Sequence, residues 1–380
     1  MTDKLRDIVL LLLVETLFFG LIFLFLYVEG AVSVFSVILG TLGLSYLIKR
    51  FESANVFLQA LFNRYKSLAV GWGLIFALSL PILFHKSPYV IHILFIACLY
   101  ACLAIGLDFQ VGSTHLLNFA TAADYGIGAY TAALLSVHYG WSFWVVLPLA
   151  GLAAALFGFI LGLPSMRTRT HHLALVTLAV GLIIYLCLNN FSWTGGANGV
   201  PGIPSPTIGG FSFGSSLRFF GIELPFQANF YYLALFVVII EFIVARRLYR
   251  SKIGLAWNAI RDDEIAAQCQ GIDIIHFKIM AFYTNAFFDG LAGAIYAFNV
   301  GYISPENFTF WISVIVVTMV IVGGMGNTTG VIFAAVLMTL LPEKFQAITT
   351  YRIWVFAIVI VVMLLTRPKG LFPQKVREYG

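Results

Sequence analysis

Five carboxylic acids lie inside or beside long apolar runs of this sequence. They are Glu15, Asp108, Asp124, Glu241 and Asp289. A charge is costly in hydrocarbon surroundings, so such groups usually face a bundle interior or water, where they can serve as relays or contact a transported solute. These positions are therefore the first candidates for chemistry in the chain.

The five acids divide into several roles. Glu241 stands about a turn and a half before Arg246 and Arg247, which predicts a structural ion pair. For Asp124 and Asp289 two roles stay open. Each is either a protonated, hydrogen-bonded group of the bundle or a contact to the cargo or its pathway.

No catalytic signature accompanies these acids. The most Gly-rich stretch, 323–330, lacks the Lys of a phosphate-binding loop. His171 and His172 are adjacent rather than one helical turn apart, and none of the four Cys belongs to a CxxC pair. We expect no catalytic residue, no metal site and no cofactor in this chain, and no nucleic-acid partner.

A short helix of two to three turns is predicted within the charged segment 246–278. Asp262 or Asp263 can cap it, Glu264 suits its first turn, and Gly271 can end it. Its small apolar face consists of Ile265, Ala266 and Ala267. This segment is either a solvated connector or a knob that docks into a groove on a partner protein.

The composition requires a membrane around these residues. Of 380 residues, only 10% are charged and 61% are hydrophobic, and several apolar runs reach the ~20 residues that span a bilayer as helix. The predicted spans are 8–28, 30–48, 68–84, 89–111, 114–137, 141–165, 173–191, 229–248, 279–299, 309–325, 330–341 and 352–366. The fold class is thus an all-α polytopic helical bundle of about 10–12 transmembrane helices.

The basic residues orient this bundle. With a cytoplasmic N-terminus, 18 of the 22 Lys and Arg residues fall on the cytoplasmic side. Both termini and the segment 246–278 are then cytoplasmic, and the Gly- and Pro-rich segment 192–228 is external. We expect the first run to be a retained helix rather than a signal peptide.

Several further motifs stand in order between residues 89 and 372. They include Gly126-Ile-Gly128-Ala-Tyr130, Leu173-Ala-Leu-Val-Thr177, Thr194-Gly195-Gly196-Ala-Asn198-Gly199, Gly290-Leu-Ala-Gly293, Ser304-Pro305-Glu306 and Arg367-Pro368-Lys-Gly370. Together with the stretch 259–267, they make the chain resemble the LivM-type permease subunit of branched-chain amino acid ABC transporters. The first 67 residues are then an extension of two transmembrane helices with a linker, and 68–380 form the permease core.

The resemblance implies a set of partners and roles. The partners are a second permease chain, two ATPase subunits that use ATP and Mg, an external solute-binding protein, and the lipid of a bacterial inner membrane. Coupling to the ATPase falls to Arg261, Asp262, Asp263, Glu264, Ile265, Ala266, Ala267, Gly271 and Lys278. The translocation path is expected at Asn118, Thr121, Asp124, Gly126, Gly128, Tyr130, Thr177 and Asp289, and an outer gate or docking surface at Thr194, Gly195, Gly196, Asn198 and Gly199.

The chain departs from the family pattern mainly inside the membrane. Asp124 replaces a usual aromatic residue, Asp289 a small residue, and Asp108 a usual Asn. These departures leave the cargo open between branched-chain amino acids, other amino acids, amides and urea-like solutes. The alternative function is a self-contained, ion-coupled transporter or channel for a small polar solute, which would need the acids as a relay.

The predicted orientation is tested by single cysteines at Ser205 and at Ser251, which should react with an impermeant reagent from opposite sides of the membrane. The physical reason is the retention of Lys and Arg on the cytoplasmic side. Accessibility labelling in whole and permeabilised cells measures it. Labelling of both positions from outside would show that the number of spans between them is wrong.

Overall fold

The computed structural model describes residues 2–27, 61, 64–164, 170–219, 221–344, 357, 361, 365 and 370–372. Nearly all of the regular structure is helical. The helices are α1 (Thr2–Tyr27), α2 (Lys66–Leu83), α3 (Pro88–Thr114), α4 (Thr121–Tyr139), α5 (Phe143–Gly162), α6 (Thr170–Asn190), α7 (Gln227–Arg250), α8 (Lys252–Asp262), α9 (Glu264–Cys269), α10 (Ile274–Val300), α11 (Phe310–Gly323) and α12 (Thr328–Lys344).

The helices confirm an all-α polytopic membrane protein. Within the described residues, six helices are long and apolar enough to cross a membrane, and two shorter apolar helices accompany them. The predicted spans match helices from 68–84 through 330–341, except that 114–137 begins later, at Thr121, after a non-helical stretch. The predicted spans 30–48 and 352–366 lie essentially outside the described residues.

The long helix α10 forms the centre of the bundle and packs against α3, α4 and α5. Glycines permit this close approach. A Cβ atom at Gly128 of α4 would collide with the backbone of Gly290 of α10, and one at Gly293 would collide with the carbonyl of Tyr125. On the side of α10 that faces α5, a Cβ at Gly158 would collide with the Cβ of Ala286. Small residues at such crossings let helix backbones touch, which is how helices associate in lipid.

Short strands lie at one end of the bundle. β1 (Val200–Pro201) pairs antiparallel with β6 (Tyr302–Ile303), which joins the long loop after α6 to the α10–α11 connection. Two further strand pairs stand in the same loop: β2 (Thr207–Ile208) with β3 (Phe211–Ser212), and β4 (Leu217–Phe219) with β5 (Ile222–Leu224).

The opposite end of the bundle gathers the α3–α4 connection, the helices α8 and α9, and the α11–α12 turn. Hydrogen bonds from Arg261 to Gly112 and from Gly326 to Asp108 join these segments. These loops therefore lie at two opposite ends of the bundle, as expected when successive helices cross the membrane in alternating directions.

Replacing Gly128 with Ala should destabilise the folded chain by about 1–3 kcal/mol, because the added methyl group has no space against Gly290. The expected result is a lower temperature of aggregation in detergent and less protein in the membrane. Gly71→Ala in α2 is the matched control, since nothing lies within 4 Å of a Cβ at Gly71. Equal behaviour of the two variants would contradict the tight crossing of α4 and α10.

Candidate translocation and coupling sites

Two buried carboxyl groups lie near the crossing of α4 and α10 at the centre of the bundle. Asp124 lies in the first turn of α4 and Asp289 near the middle of α10, and both are buried. They are close enough to interact electrostatically, and neither forms a hydrogen bond with the residues the structure describes. The close approach of α4 to α10 at Gly128 and Gly290 places them there.

Asn285 adds an amide to this pair from one turn earlier on α10. It is fully buried, and its side chain has no hydrogen-bond partner in the described part of the chain. A Cβ at Gly106 of α3 would lie 2.6 Å from Asn285 Oδ1 and 3.1 Å from Asp289 Oδ1. The absence of a side chain at Gly106 thus leaves room for both polar groups.

The predicted ion pair of Glu241 with Arg246 or Arg247 is wrong. Glu241 is fully buried, and its two oxygens have no such partner among the described residues. It lies instead beside the thiol of Cys102 on α3. The helix α7 turns Glu241 toward the bundle, whereas its last turn carries Arg247 at the end of the span.

Three predicted path residues gather where α4 begins. Asn118 Oδ1 accepts from the backbone N–H of Ala120 at 2.8 Å, and Thr177 of α6 accepts from the N–H of Phe119 at 3.0 Å. The hydroxyl of Thr121 is buried and has no partner among the described residues. The start of α4 is therefore a buried polar end of a helix, the kind of interruption at which transporters hold solutes.

The remaining path residues lie further along α4. A Cβ at Gly126 would lie 3.2 Å from the ring of Phe308, and the ring of Tyr130 packs edge-on against Phe308, with centroids 5.8 Å apart. Both are thus close to the α10–α11 connection. The structure places them above the acid pair, toward the end that carries the strands.

The predicted outer gate is a tight turn. Thr194 Oγ1 donates to the carbonyls of Leu188 and Phe191, at 2.9 and 2.8 Å. Gly195, Gly196 and Gly199 all have positive φ, and a Cβ at Gly195 would collide with the carbonyl of Gly199. The backbone carbonyl of Asn198 accepts from the hydroxyl of Tyr302 at 3.0 Å, which ties the turn to β6, just after α10.

At the other end of the bundle the predicted short helix is present as α9. Asp263 caps it, because its Oδ1 accepts from the N–H groups of Ile265 and Ala266 at 2.8 and 3.0 Å. Gly271 follows with φ of +81°, so the cap and the stop are as predicted. The helix has six residues, fewer than the two to three turns predicted, because its cap Asp263 is also the extended residue that ends α8.

The apolar face of α9 differs from the prediction. Ala267 is only 3% exposed and packs into this chain's own fold, whereas Ile265 is 76% exposed. The surface open to a partner therefore consists of Ile265 and Ala266, without Ala267. The reason is the buried Lys278 of α10, whose Nζ pairs with Glu264 Oε1 at 2.7 Å and draws α9 onto the bundle.

Asp108 is the centre of a hydrogen-bonded cluster that the sequence does not predict. Asp108 Oδ1 accepts from the N–H of Gly326 at 2.7 Å, and Oδ2 accepts from the hydroxyl of Tyr249 at 3.0 Å. The sequence shows Asp108 only as an acid within the predicted span 89–111. Its partners are 141 and 218 residues away in sequence, so only the folded chain reveals them.

Next to Asp108, Arg261 joins the charged segment 246–278 to α3. Its Nη1 donates to the carbonyl of Gly112 at 3.3 Å, and its Nε lies 3.4 Å from Asp262 Oδ1. Burial, reinforced by the Arg261 guanidinium, lowers the pKa of the nearby His115, against a smaller opposing effect of Asp262. This lowered pKa favours the neutral form of His115 beside Arg261.

Comparisons with known proteins agree with this architecture. Residues 89–366 match the family model described as branched-chain amino acid transport system / permease component. The chain is 39% identical over 314 residues to the high-affinity branched-chain amino acid transport system permease protein LivM of Salmonella typhimurium and to that of Escherichia coli K12, covering 79% of this chain and 73% of each relative. It is 25% identical to LivH of Escherichia coli K12, over 72% of this chain and 90% of LivH. No solved structure matches the chain.

Replacing Asp263 with Ala should loosen α9, since it leaves two backbone N–H groups without their acceptor. Loss of such a cap costs about 0.5–2 kcal/mol. Hydrogen exchange at residues 264–269 should therefore become faster. Asp262→Ala is the matched control, because that exposed carboxylate caps no helix in the structure. Equal exchange in the two variants would contradict the assignment of Asp263 as the cap.

Proposed function

Because the chain belongs to the permease family of branched-chain amino acid transport systems, we propose that it is one of two permease subunits of an inner-membrane ABC importer for such amino acids. A second, LivH-like permease chain, two ATPase subunits and an external solute-binding protein complete the complex. The observation that carries the proposal is the 39% identity to LivM over most of the chain.

We place ATP hydrolysis on the partner subunits. The sequence holds no phosphate-binding loop with its Lys, so the energy must enter through a contact. The exposed Ile265 and Ala266 of α9, at the end opposite the strands, are the residues that we assign to that contact. The ion pair of Glu264 with Lys278 and the bond of Arg261 to Gly112 connect this surface to α10 and α3.

The acid pair is proposed to lie on or beside the path of the solute. Asp124 and Asp289 have no hydrogen-bond partner among the described residues although they are buried, and an unpaired polar group at that depth is costly. A passing solute or water can supply the missing bonds. The Gly turn 195–199, held by Tyr302, is proposed to face the solute-binding protein.

Replacing Ala266 with Trp should weaken the association with the ATPase subunits and reduce transport-coupled ATP hydrolysis, because a close-packed groove has no room for the larger side chain. Ala266 is a better test position than Ala267, since Trp at the buried Ala267 would disturb this chain's own packing. Co-purification of the ATPase subunits and uptake in proteoliposomes are the measurements.

The control is Lys86→Trp, which places the same indole side chain at an exposed turn between α2 and α3. Unchanged uptake and ATPase association in Ala266→Trp would make α9 a solvated connector. Amino acid uptake by the chain alone, without ATPase subunits, would instead support the ion-coupled alternative.

A further inference from the structure

A cavity of about 170 Å³ lies where α3, α4, α10 and α11 meet. One wall is aliphatic and consists of Ile96, Leu99, Leu103 and Ile312. The other lining residues are Tyr100, Tyr125, Tyr296 and Asn307. Ile96, Ile312, Tyr296 and Asn307 are half-buried, so the cavity reaches the surface of this chain.

A chain of hydrogen bonds determines which atoms of Asn307 and Tyr296 donate and which accept. Asn307 Oδ1 accepts from the backbone N–H of Ser304 at 2.9 Å, and a backbone N–H can only donate, so the orientation of the amide is determined. The Asn307 Nδ2 group then donates to Tyr296 Oη at 3.1 Å. The Tyr296 oxygen is thus an acceptor in this bond, and its own proton has no acceptor among the described residues.

The cavity therefore holds the oriented hydroxyl donor of Tyr296, together with two other tyrosines and an aliphatic wall, and none of its lining residues is charged. The donor suits a carboxylate, and the wall suits a branched hydrocarbon group. The volume of the cavity suits such a group as well. An apolar cavity of about 150 Å³ accepts benzene, so a cavity of about 170 Å³ accepts the four-carbon side chain of leucine.

We propose that this cavity is a contact site for the transported amino acid, in which Tyr296 donates to the carboxylate while Leu103 and Ile312 select the aliphatic side chain. The inference rests on the proposed function and adds to it the residues that determine specificity. Leu103 lies one turn before Gly106, which adjoins Asn285 and Asp289, so the site is next to the central acids.

The test is leucine and valine uptake by the complete complex in proteoliposomes, with the same loaded binding protein throughout. Ile312→Phe reduces the free volume of the cavity, so leucine uptake should fall about 10-fold relative to valine, the size of effect that a methylene group makes in an apolar pocket. Ile315→Phe, one turn further along α11 and outside the cavity, is the matched control and should leave the ratio unchanged.

Tyr296→Phe keeps the ring and removes only the hydroxyl. It should raise the KM of leucine and of valine by the same factor, about 10-fold, and leave their ratio unchanged. The amount of assembled complex checks that both variants fold. An unchanged leucine-to-valine ratio in Ile312→Phe, or unchanged KM values in Tyr296→Phe, would overturn this inference while the proposed function stands. Failure of the wild-type complex to take up either amino acid would overturn the proposed function itself.

Discussion

The contact between the backbones of α4 and α10 at Gly128 and Gly290 positions most of what surrounds it. In lipid, helices gain nothing from burying apolar surface against one another, so close packing and interhelical polar contacts must hold them together. The glycines allow α10 to touch α4, and Gly158 allows it to touch α5. This contact also brings Asp124 to Asp289, because each acid lies within about one turn of the crossing glycine on its own helix.

A second set of contacts determines the shape of the end that carries α8 and α9. Trp257 of α8 is fully buried and donates from its indole N–H to the carbonyl of Phe277 at 2.8 Å, which fixes α8 against α10. Tyr249, at the end of α7, packs on the same indole and donates to Asp108. The segment 246–278 is therefore attached to the bundle through buried aromatic and hydrogen-bonded contacts.

The sequence predicted the features that depend on neighbouring residues. Apolar runs predicted the spans, and local chemistry predicted the cap at Asp263 and the stop at Gly271. The sequence-based predictions failed where the surroundings of a side chain come from an element distant in sequence. The ion pair predicted for Glu241 used the nearest Arg residues along the chain, but the fold turns that side chain toward Cys102. In the same way, Ala267 is covered by this chain's own bundle, which a six-residue pattern cannot show.

The helix α3 connects the sites at the two levels of the bundle. Leu99 and Leu103 line the cavity, Gly106 adjoins the central acids, and Asp108 and Gly112 receive the bonds from Gly326 and Arg261. From Leu99 to Asp108 the helix rises by about 14 Å. The helix is continuous from Pro88 to Thr114 with no internal proline, so no hinge of the kind that a proline creates interrupts it. The bond of Arg261 to Gly112 and the cavity wall at Leu99 and Leu103 therefore belong to one unbroken helix.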